Sequence, residues 1–319
     1  MKTILTSILT LFVAFAFAQN SDKTLAKVRY SFTHVLDTTQ KQNPHTENML
    51  LLIGKNASVY TSYDRINRSI EMAKQLEEQI KNQAGSGSMS IKVDQSSSKK
   101  VTDIDYYYFA KENKVYTRER IFNNYLVEET APKINWNIST DTASFSGIHC
   151  QKATTYFKGR NWNAWFAADL PFTNGPWKLN GLPGLIVEAY DDTKEVQFKF
   201  AGFENVSSEE VKTSNEKEMT GNIFAGQGAT VRIMGMDTKS DFSLTEIKLP
   251  ANAVKATKKE LDKLKEAREK DPQGFINSQL AANGISINMQ NTTFKPASSA
   301  PSSKPKIAVN NPIELPEKK

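Results

Sequence analysis

The sequence has little cysteine, little histidine and little net charge. Cys150 is the one cysteine in 319 residues, which excludes a disulfide framework within the chain. The formal net charge of +6 is modest, and the basic residues are mixed with acidic ones. That mixture is typical of solvated helix faces rather than of nucleic-acid binding. With 39% hydrophobic and 10% aromatic residues, the composition predicts a folded protein with a sizeable core.

Catalytic fingerprints are also missing. The sequence contains no Gly-x-Ser-x-Gly motif, no Walker-type phosphate loop and no dinucleotide-binding motif. We therefore assign no catalytic, cofactor-binding or metal-binding residue and expect no cofactor. This lack of a catalytic constellation favours a non-enzymatic protein.

The N-terminus has the three parts of a cleavable secretory signal peptide. Lys2 supplies the positive charge, residues 4–18 form an uncharged and mostly apolar run, and Ala16-Phe17-Ala18 provides the small-x-small cleavage site. The run is too short to span a bilayer comfortably, and no later stretch is long and apolar enough to do so. The sequence thus predicts a signal peptide at 1–18 and an exported protein of the periplasm, outer envelope or medium, not an integral membrane protein.

Runs of strand-forming residues recur along most of the chain. Residues 28–35 alternate in polarity, and residues 49–54 are continuously apolar, so both are predicted strands. Other predicted strands are 57–60, 106–109, 114–118, 125–129, 136–138, 151–157, 162–166, 185–190, 195–202 and 242–248.

Helical spacing of apolar residues predicts helices over 64–82 and 252–270, with a short second helix around 275–280. The first helix and the Ser-rich loop after it form a predicted insertion at about 64–101. Residues 296–306, rich in Pro and Ser, indicate a linker-like segment. We expect one exported domain over 19–295 and a C-terminal segment over 307–319.

Two turns are predicted in the second half of the chain. Lys158-Gly159-Arg160-Asn161 separates two strand-like runs and indicates a β-hairpin. Leu182-Pro183-Gly184-Leu185 places Pro and Gly at the central positions of a type II turn, which would give Gly184 a positive φ. No residue of this segment is a nucleophile or a good metal ligand, so its role is predicted to be structural.

This segment and its surroundings resemble the GLPGLI family, secreted proteins of Gram-negative bacteria without an established activity. Residues 181–186 spell the family name, and the spaced motifs before it follow in the expected order. Asn311-Pro312-Ile313-Glu314-Leu315 is similar to the family's closing motif. The candidate family-signature residues, taken as structural, are Cys150, Gly159, Arg160, Trp165, Phe166, Gly175, Pro176, Gly181, Leu182, Pro183, Gly184, Leu185 and Ile186.

The resemblance implies an α+β fold: a strongly curved, mostly antiparallel β-sheet, shaped as a bowl or half-barrel, with a few flanking helices. Members look like the extra, non-catalytic N-terminal domain of some bacterial N-glycan amidases. The resemblance thus favours binding or interaction without naming a ligand.

Aromatic residues on the second arm of the predicted hairpin have two interpretations. Trp162 and Phe166 share one face of a regular strand, and Trp165 lies on the other. They could form a sugar- or lipid-binding patch, but core packing is favoured because aromatic side chains dominate protein cores.

Two alternatives to a binding protein stay open. Glu188, Asp191 and Asp192 are candidates for a hydrolase site assembled from distant carboxylates. Copper or zinc handling would recruit His149 and Cys150, with the other ligands drawn from His34, His45, Met234 and Met236. The competing interpretation of Cys150 is a small buried hydrophobe.

The sequence therefore predicts an exported, non-enzymatic binding or accessory protein of the bacterial cell envelope. Its unknown partner is a hydrophobic or glycan ligand in the bowl, or an outer-membrane protein, and not nucleic acid.

Overall fold

The computed structural model describes residues 21–83, 100–206, 243–282 and 309–317. Several features predicted from the sequence lie outside these residues: the signal peptide (1–18), most of the Ser-rich loop (84–99), Met234, Met236 and the linker-like segment (296–306).

Strands account for most of the regular structure. In the described residues they are β1 (Asp22–Lys23), β2 (Ala26–His34), β3 (His45–Ile53), β4 (Ala57–Ser62), β5 (Ile104–Phe109), β6 (Lys114–Arg120), β7 (Asn124–Thr130), β8 (Asn137–Phe145), β9 (Ile148–Phe157), β10 (Arg160–Ala167), β11 (Leu185–Asp191), β12 (Val196–Asn205), β13 (Glu246–Ile247) and β14 (Val254–Lys255). The helices are α1 (Tyr63–Gln83), α2 (Lys258–Lys270) and α3 (Pro272–Ala282). None of these three is long and apolar enough to cross a membrane.

Twelve of the strands form one sheet, in the order β14-β7-β6-β5-β4-β3-β2-β12-β11-β10-β9-β8. Neighbouring strands are antiparallel except for the short parallel pair of β14 and β7. The sheet is open, with β14 and β8 at its edges, and β1 and β13 form a separate two-stranded ladder. The predicted fold class, a mostly antiparallel sheet with a few flanking helices, is confirmed.

A chain of ion pairs requires this sheet to be strongly curved. Lys178, which follows β10, pairs with Glu129 of β7 at 2.9 Å and with Glu314 at 2.8 Å. Glu314 in turn lies 3.6 Å from Lys158, in the turn between β9 and β10. Strands β7 and β10 are eight places apart in the sheet, and a flat sheet would separate them by roughly 38 Å. The two ends of the sheet therefore curl toward each other, and we call the face between them the concave face.

The main hydrophobic core lies on the concave face. It joins side chains of β2, β3, β4, β9, β10, β11 and β12, including Tyr30, Leu51, Tyr60, Trp162 and Phe198. A second cluster covers the convex face of the other half of the sheet, where Leu52, Val59 and Tyr107 pack with Ile247 of β13. Because successive side chains of a strand point to opposite faces, the strands provide apolar side chains to the cores on both faces of the sheet.

The hairpin predicted at 158–161 is confirmed. Arg160 pairs with Phe157, so only two residues connect β9 to β10. These two, Lys158 and Gly159, have φ values of 52° and 75°, and two consecutive positive values define the type I′ turn that suits a two-residue hairpin.

The helix predicted over 252–270 begins later than expected. It starts at Lys258, because Thr257 and Glu260 form a capping box: the Thr257 side chain accepts the Glu260 N–H, and the Glu260 carboxylate accepts the Thr257 N–H. Residues 254 and 255 instead form β14. The strand expected at 242–248 is likewise short, because only Glu246 and Ile247 pair in the described residues.

The type II turn predicted at 182–185 is wrong. Such a turn needs a positive φ at its third residue, whereas the positive values fall at Trp177 (57°) and Gly181 (88°) and not at Gly184. Gly184 is required for a different reason. A Cβ atom there would lie 2.2 Å from the carbonyl oxygen of Ala167, so only glycine allows the two backbones to approach so closely.

Candidate functional site

Residues 175–186, which we call the signature segment, pack into the concave face of the sheet. They do not line an open cavity there. Trp177, Leu179 and Leu182 are buried in the main core. The Trp177 ring packs against Trp162 and Phe157, with ring centroids 5.5 Å and 5.8 Å apart. A small cavity of about 20 Å³ lies beside this segment, with room for about one water molecule.

The remaining signature residues fix this segment in place. Leu185 and Ile186 begin β11 and are fully buried, and the Ile186 carbonyl accepts the Tyr30 hydroxyl at 2.6 Å. The Pro176 carbonyl accepts the Leu179 N–H at 3.1 Å, closing a tight turn. A Cβ on Gly175 would lie 2.7 Å from the Ile186 side chain.

The aromatic residues of β10 are divided between the two faces of the sheet. Trp162 and Phe166 are buried in the main core. Trp165 lies on the other face, partly buried beside Cys150, with its ring 5.6 Å from that of Phe145. The three side chains therefore do not form one exposed patch.

Arg160 holds the residues around Asn311 against the sheet. It is buried, and its guanidinium donates to the Asp191 carboxylate at 2.7 Å and to the Asn311 side-chain oxygen at 2.6 Å. His34 also contacts this region, donating from Nε2 to the Asn311 carbonyl at 2.8 Å. We call residues 309–317 the Asn-Pro segment.

The candidate hydrolase carboxylates do not converge. Glu188 and Asp191 have opposite parity along β11 and thus point to opposite faces. Asp191 accepts hydrogen bonds from Arg160, Thr193 and the Val196 N–H. Burial raises the pKa of Glu188, but no second candidate carboxylate shares its face of β11. Asp192, beyond the strand, accepts the Asn163 amide on the surface.

Sequence reasoning missed Glu47, a buried carboxylate of β3. It accepts hydrogen bonds from His45 at 2.8 Å, from the Thr102 hydroxyl at 2.6 Å and from Ser62. Burial alone would raise the pKa of Glu47, but these donors hold it below its usual range. Because Glu47 stands between Ser62 and His45, the histidine cannot take a proton from the serine, so the group is not a nucleophile–base pair.

A second buried carboxylate, Asp105 of β5, is held by two arginines. The guanidinium groups of Arg65 and Arg118 both pair with it, and Thr61 donates to it at 2.7 Å. Burial would raise the pKa of Asp105, but the two cations outweigh it and hold the pKa low. A polar residue inside a strand of strand-forming residues was the available signal for both Asp105 and Glu47.

Cys150 is buried on the convex face, and His149 is exposed. Burial, and then the nearby Glu188, raise the pKa of the Cys150 thiol to about 11, so the thiol is protonated at neutral pH and is a poor nucleophile. Among the residues that the structure describes, no three His, Cys, Asp or Glu side chains are arranged to hold a metal ion.

A cleft of about 470 Å³ lies at the edge of the sheet, between β7 and the turn that leads from β14 into α2. This volume is within the range of small-molecule sites. The cleft has an apolar floor and a charged rim, formed by Leu126, Val127, Tyr116, Glu128, Lys255 and Lys258. Its polarity suits an amphipathic ligand or peptide.

One family model and two solved structures are similar to parts of this chain. A family model described as a protein of unknown function (Porph_ging) matches residues 53–188, less than half of the chain. No curated protein matches. Two crystal structures of PNGF-II, in different space groups, are similar at 14% and 13% identity, with TM-scores of 0.39 and 0.38. Each match covers 58% of this chain and 29% or 28% of the other, so the chain spans less than a third of those proteins.

Proposed function

We propose that this is an exported, non-enzymatic binding or accessory protein of the bacterial cell envelope, as its resemblance to the GLPGLI family implies. We further propose that it meets its ligand or partner at the edge of the sheet, in the cleft beside β7. The observation that carries the second proposal is the filled concave face. Trp177, Leu179 and Leu182 occupy the space in which a bowl would hold a ligand.

The buried carboxylates are already hydrogen-bonded within the protein, and this supports a non-enzymatic role. Glu47, Asp105 and Asp191 each accept several hydrogen bonds from fixed donors. A general base needs a lone pair directed at a substrate, and these carboxylates direct theirs at the protein. The hydrolase alternative thus lacks an observation in its favour among the described residues.

The cleft beside β7 is lined by both apolar and charged side chains that a partner could contact. Tyr116 and Leu126 give it an apolar floor, while Lys255 is exposed at the rim. At the rim, Glu128 is already paired with Lys114. A partner that combines an apolar anchor with charged groups of both signs fits this arrangement, because the lining carries Lys258, Glu129 and Glu260 as well.

Site-specific photo-crosslinking in the cell tests the proposal. A photoreactive amino acid would replace Lys255 in the cleft or, as the control, Lys199, an exposed residue of β12. We expect a discrete crosslinked product from position 255 and none from position 199. Products from position 199 alone, or from neither position, would contradict the cleft as the contact surface. Native mass spectrometry of the same preparation would reveal a retained lipid or glycan.

A further inference from the structure

The Asn-Pro segment is bound to the body of the protein without forming a strand, and its backbone bends at Asn311, Ile313 and Glu314. The backbone N–H groups of Asn310 and Asn311 both donate to the Leu36 carbonyl, in the loop after β2, at 3.1 Å and 3.2 Å. At the other end, the Leu315 N–H donates to the Lys158 carbonyl at 3.0 Å. The segment thus lies in a groove between the loop after β2 and the β9–β10 turn.

Asn311 is recognised through every polar group it has. Its side-chain amide donates to the Val35 carbonyl at 2.8 Å, and its side-chain oxygen accepts from Arg160 at 2.6 Å. Its backbone carbonyl accepts from His34 at 2.8 Å. It is the one buried residue of the segment, and no other side chain of similar size has both a donor and an acceptor at these positions.

Arg160 recognises the backbone that follows Asn311. Its Nε donates to the Ile313 carbonyl at 2.9 Å, and a terminal nitrogen donates to the Pro312 carbonyl at 2.7 Å. Asp191 holds the other terminal nitrogen at 2.7 Å and so fixes the orientation of the guanidinium. Proline also disfavours a helical conformation at the residue before it, so Pro312 keeps Asn311 out of a helix.

The far end of the groove is selective as well. The Glu314 carboxylate lies 2.8 Å from the Lys178 ammonium and 3.6 Å from that of Lys158. Leu315 rests directly on Gly159, where a Cβ atom would lie 2.5 Å from the Leu315 carbonyl oxygen. Glycine at position 159 therefore serves the bound segment as well as the hairpin turn.

We propose that this groove is a sequence-specific peptide-binding site for Asn-Pro segments, and that the chain's own segment is an exchangeable occupant. Three observations support this. The segment pairs with no strand, eight of its nine described residues lie at least partly at the surface, and its contacts are mainly polar and specific to each side chain. It is also 26 residues beyond the last described residue of α3, since residues 283–308 intervene.

The test uses the full chain with a protease recognition sequence inserted within residues 296–306. After cleavage, a fluorescent peptide of residues 307–319 is added, and anisotropy and native mass are measured. We expect saturable binding with one peptide per protein, displacement of the cleaved segment, and no binding to the uncleaved protein. A peptide with Asn311→Ala should bind roughly tenfold more weakly or worse, because it leaves buried donors and acceptors unpaired. A peptide with Glu317→Ala, at an exposed position, should bind normally.

Two outcomes would overturn the proposal. If the cleaved protein unfolds, as monitored by near-ultraviolet circular dichroism, the segment is an integral part of the fold. If the cleaved protein stays folded but keeps its own segment and does not exchange it, or binds the Asn311→Ala peptide equally well, the groove is not a selective peptide site.

Discussion

His34 makes the stability of the protein depend on pH. Burial, and then the charge of Arg160, lower its pKa to about 4, whereas an unfolded histidine has a pKa of about 6.5. Because the unfolded chain takes up the proton first, stability falls as the pH drops from 6.5 toward 4 and is constant above that window. The full loss is about 3 kcal/mol.

This prediction is checked by urea unfolding between pH 7 and pH 4.5. His34→Gln, which keeps an N–H donor, should flatten the profile relative to the wild type, whereas His149→Gln, at an exposed position, should leave it unchanged. Parallel profiles for all three proteins would mean that His34 is not the responsible group.

Removing the hydroxyl group from two buried tyrosines should change the free energy of unfolding in opposite directions. The Tyr60 hydroxyl has no hydrogen-bond partner among the described residues, so Tyr60→Phe should raise the free energy of unfolding by about 1 kcal/mol. The Tyr30 hydroxyl donates to the Ile186 carbonyl, so Tyr30→Phe should lower it by about 1–2 kcal/mol. Urea denaturation measures both, and a loss of stability in Tyr60→Phe would show that this hydroxyl has a partner in solution.

At the scale of single elements, the turns of the signature segment depend on two glycines for different reasons. Gly181 has a φ of +88° with open space around it, so Gly181→Ala should cost about 1 kcal/mol in backbone strain. Gly184→Ala would place a Cβ against the Ala167 backbone and should cost about 3 kcal/mol. Thermal unfolding of the two variants compares these costs, and equal losses would refute the close-approach explanation.

These elements also show how far local sequence reasoning reaches. The hairpin at 158–161 was predictable, because its turn residues and flanking strands are adjacent in sequence. The start of α2 was predictable too: Thr257 and Glu260 have capping-box spacing, a signal that the apolar periodicity of 252–270 concealed. The role of Gly184 was not, because it depends on Ala167, seventeen positions earlier.

At the scale of the whole molecule, Lys178 connects distant parts of the curved sheet. Burial alone would lower its pKa, but Glu314 and Glu129 outweigh it and raise the pKa, so the ammonium stays charged. Lys178→Met would remove the cation that Glu129 and Glu314 share, leaving Glu314 with Lys158 at 3.6 Å, and should cost about 1–3 kcal/mol. Lys114→Met, which removes an exposed partner of Glu128, should cost less, because solvent screens that ion pair.

Hydrogen exchange distinguishes a loss of curvature from a general loss of stability. In Lys178→Met, the amide of Leu315, which donates to the Lys158 carbonyl, should exchange faster, while amides in the centre of β3 keep their protection. Uniform acceleration across the sheet would contradict a role in joining its ends.

The family resemblance predicted the curved sheet, but neither the resemblance nor the sequence pattern predicted which residues fill its concave face or join its ends. Alternating strands define two faces locally, whereas the contact of Arg160 with Asn311 joins positions 151 residues apart. No periodicity encodes such a contact. The same limit applies to the filled concave face: the segment around Trp177 was recognised as structural, but its position inside the bowl depends on strands from across the chain.

The placement of the Asn-Pro segment has a consequence for biosynthesis. Synthesis runs from the N-terminus, so every strand of the sheet is made before the residues that satisfy Arg160. A chain interrupted before residue 309 would contain the whole sheet yet leave two of the three nitrogens of a buried guanidinium without their partners. A chain that lacks the Asn-Pro segment should therefore be less stable, and more open to proteolysis, than one in which these contacts have formed.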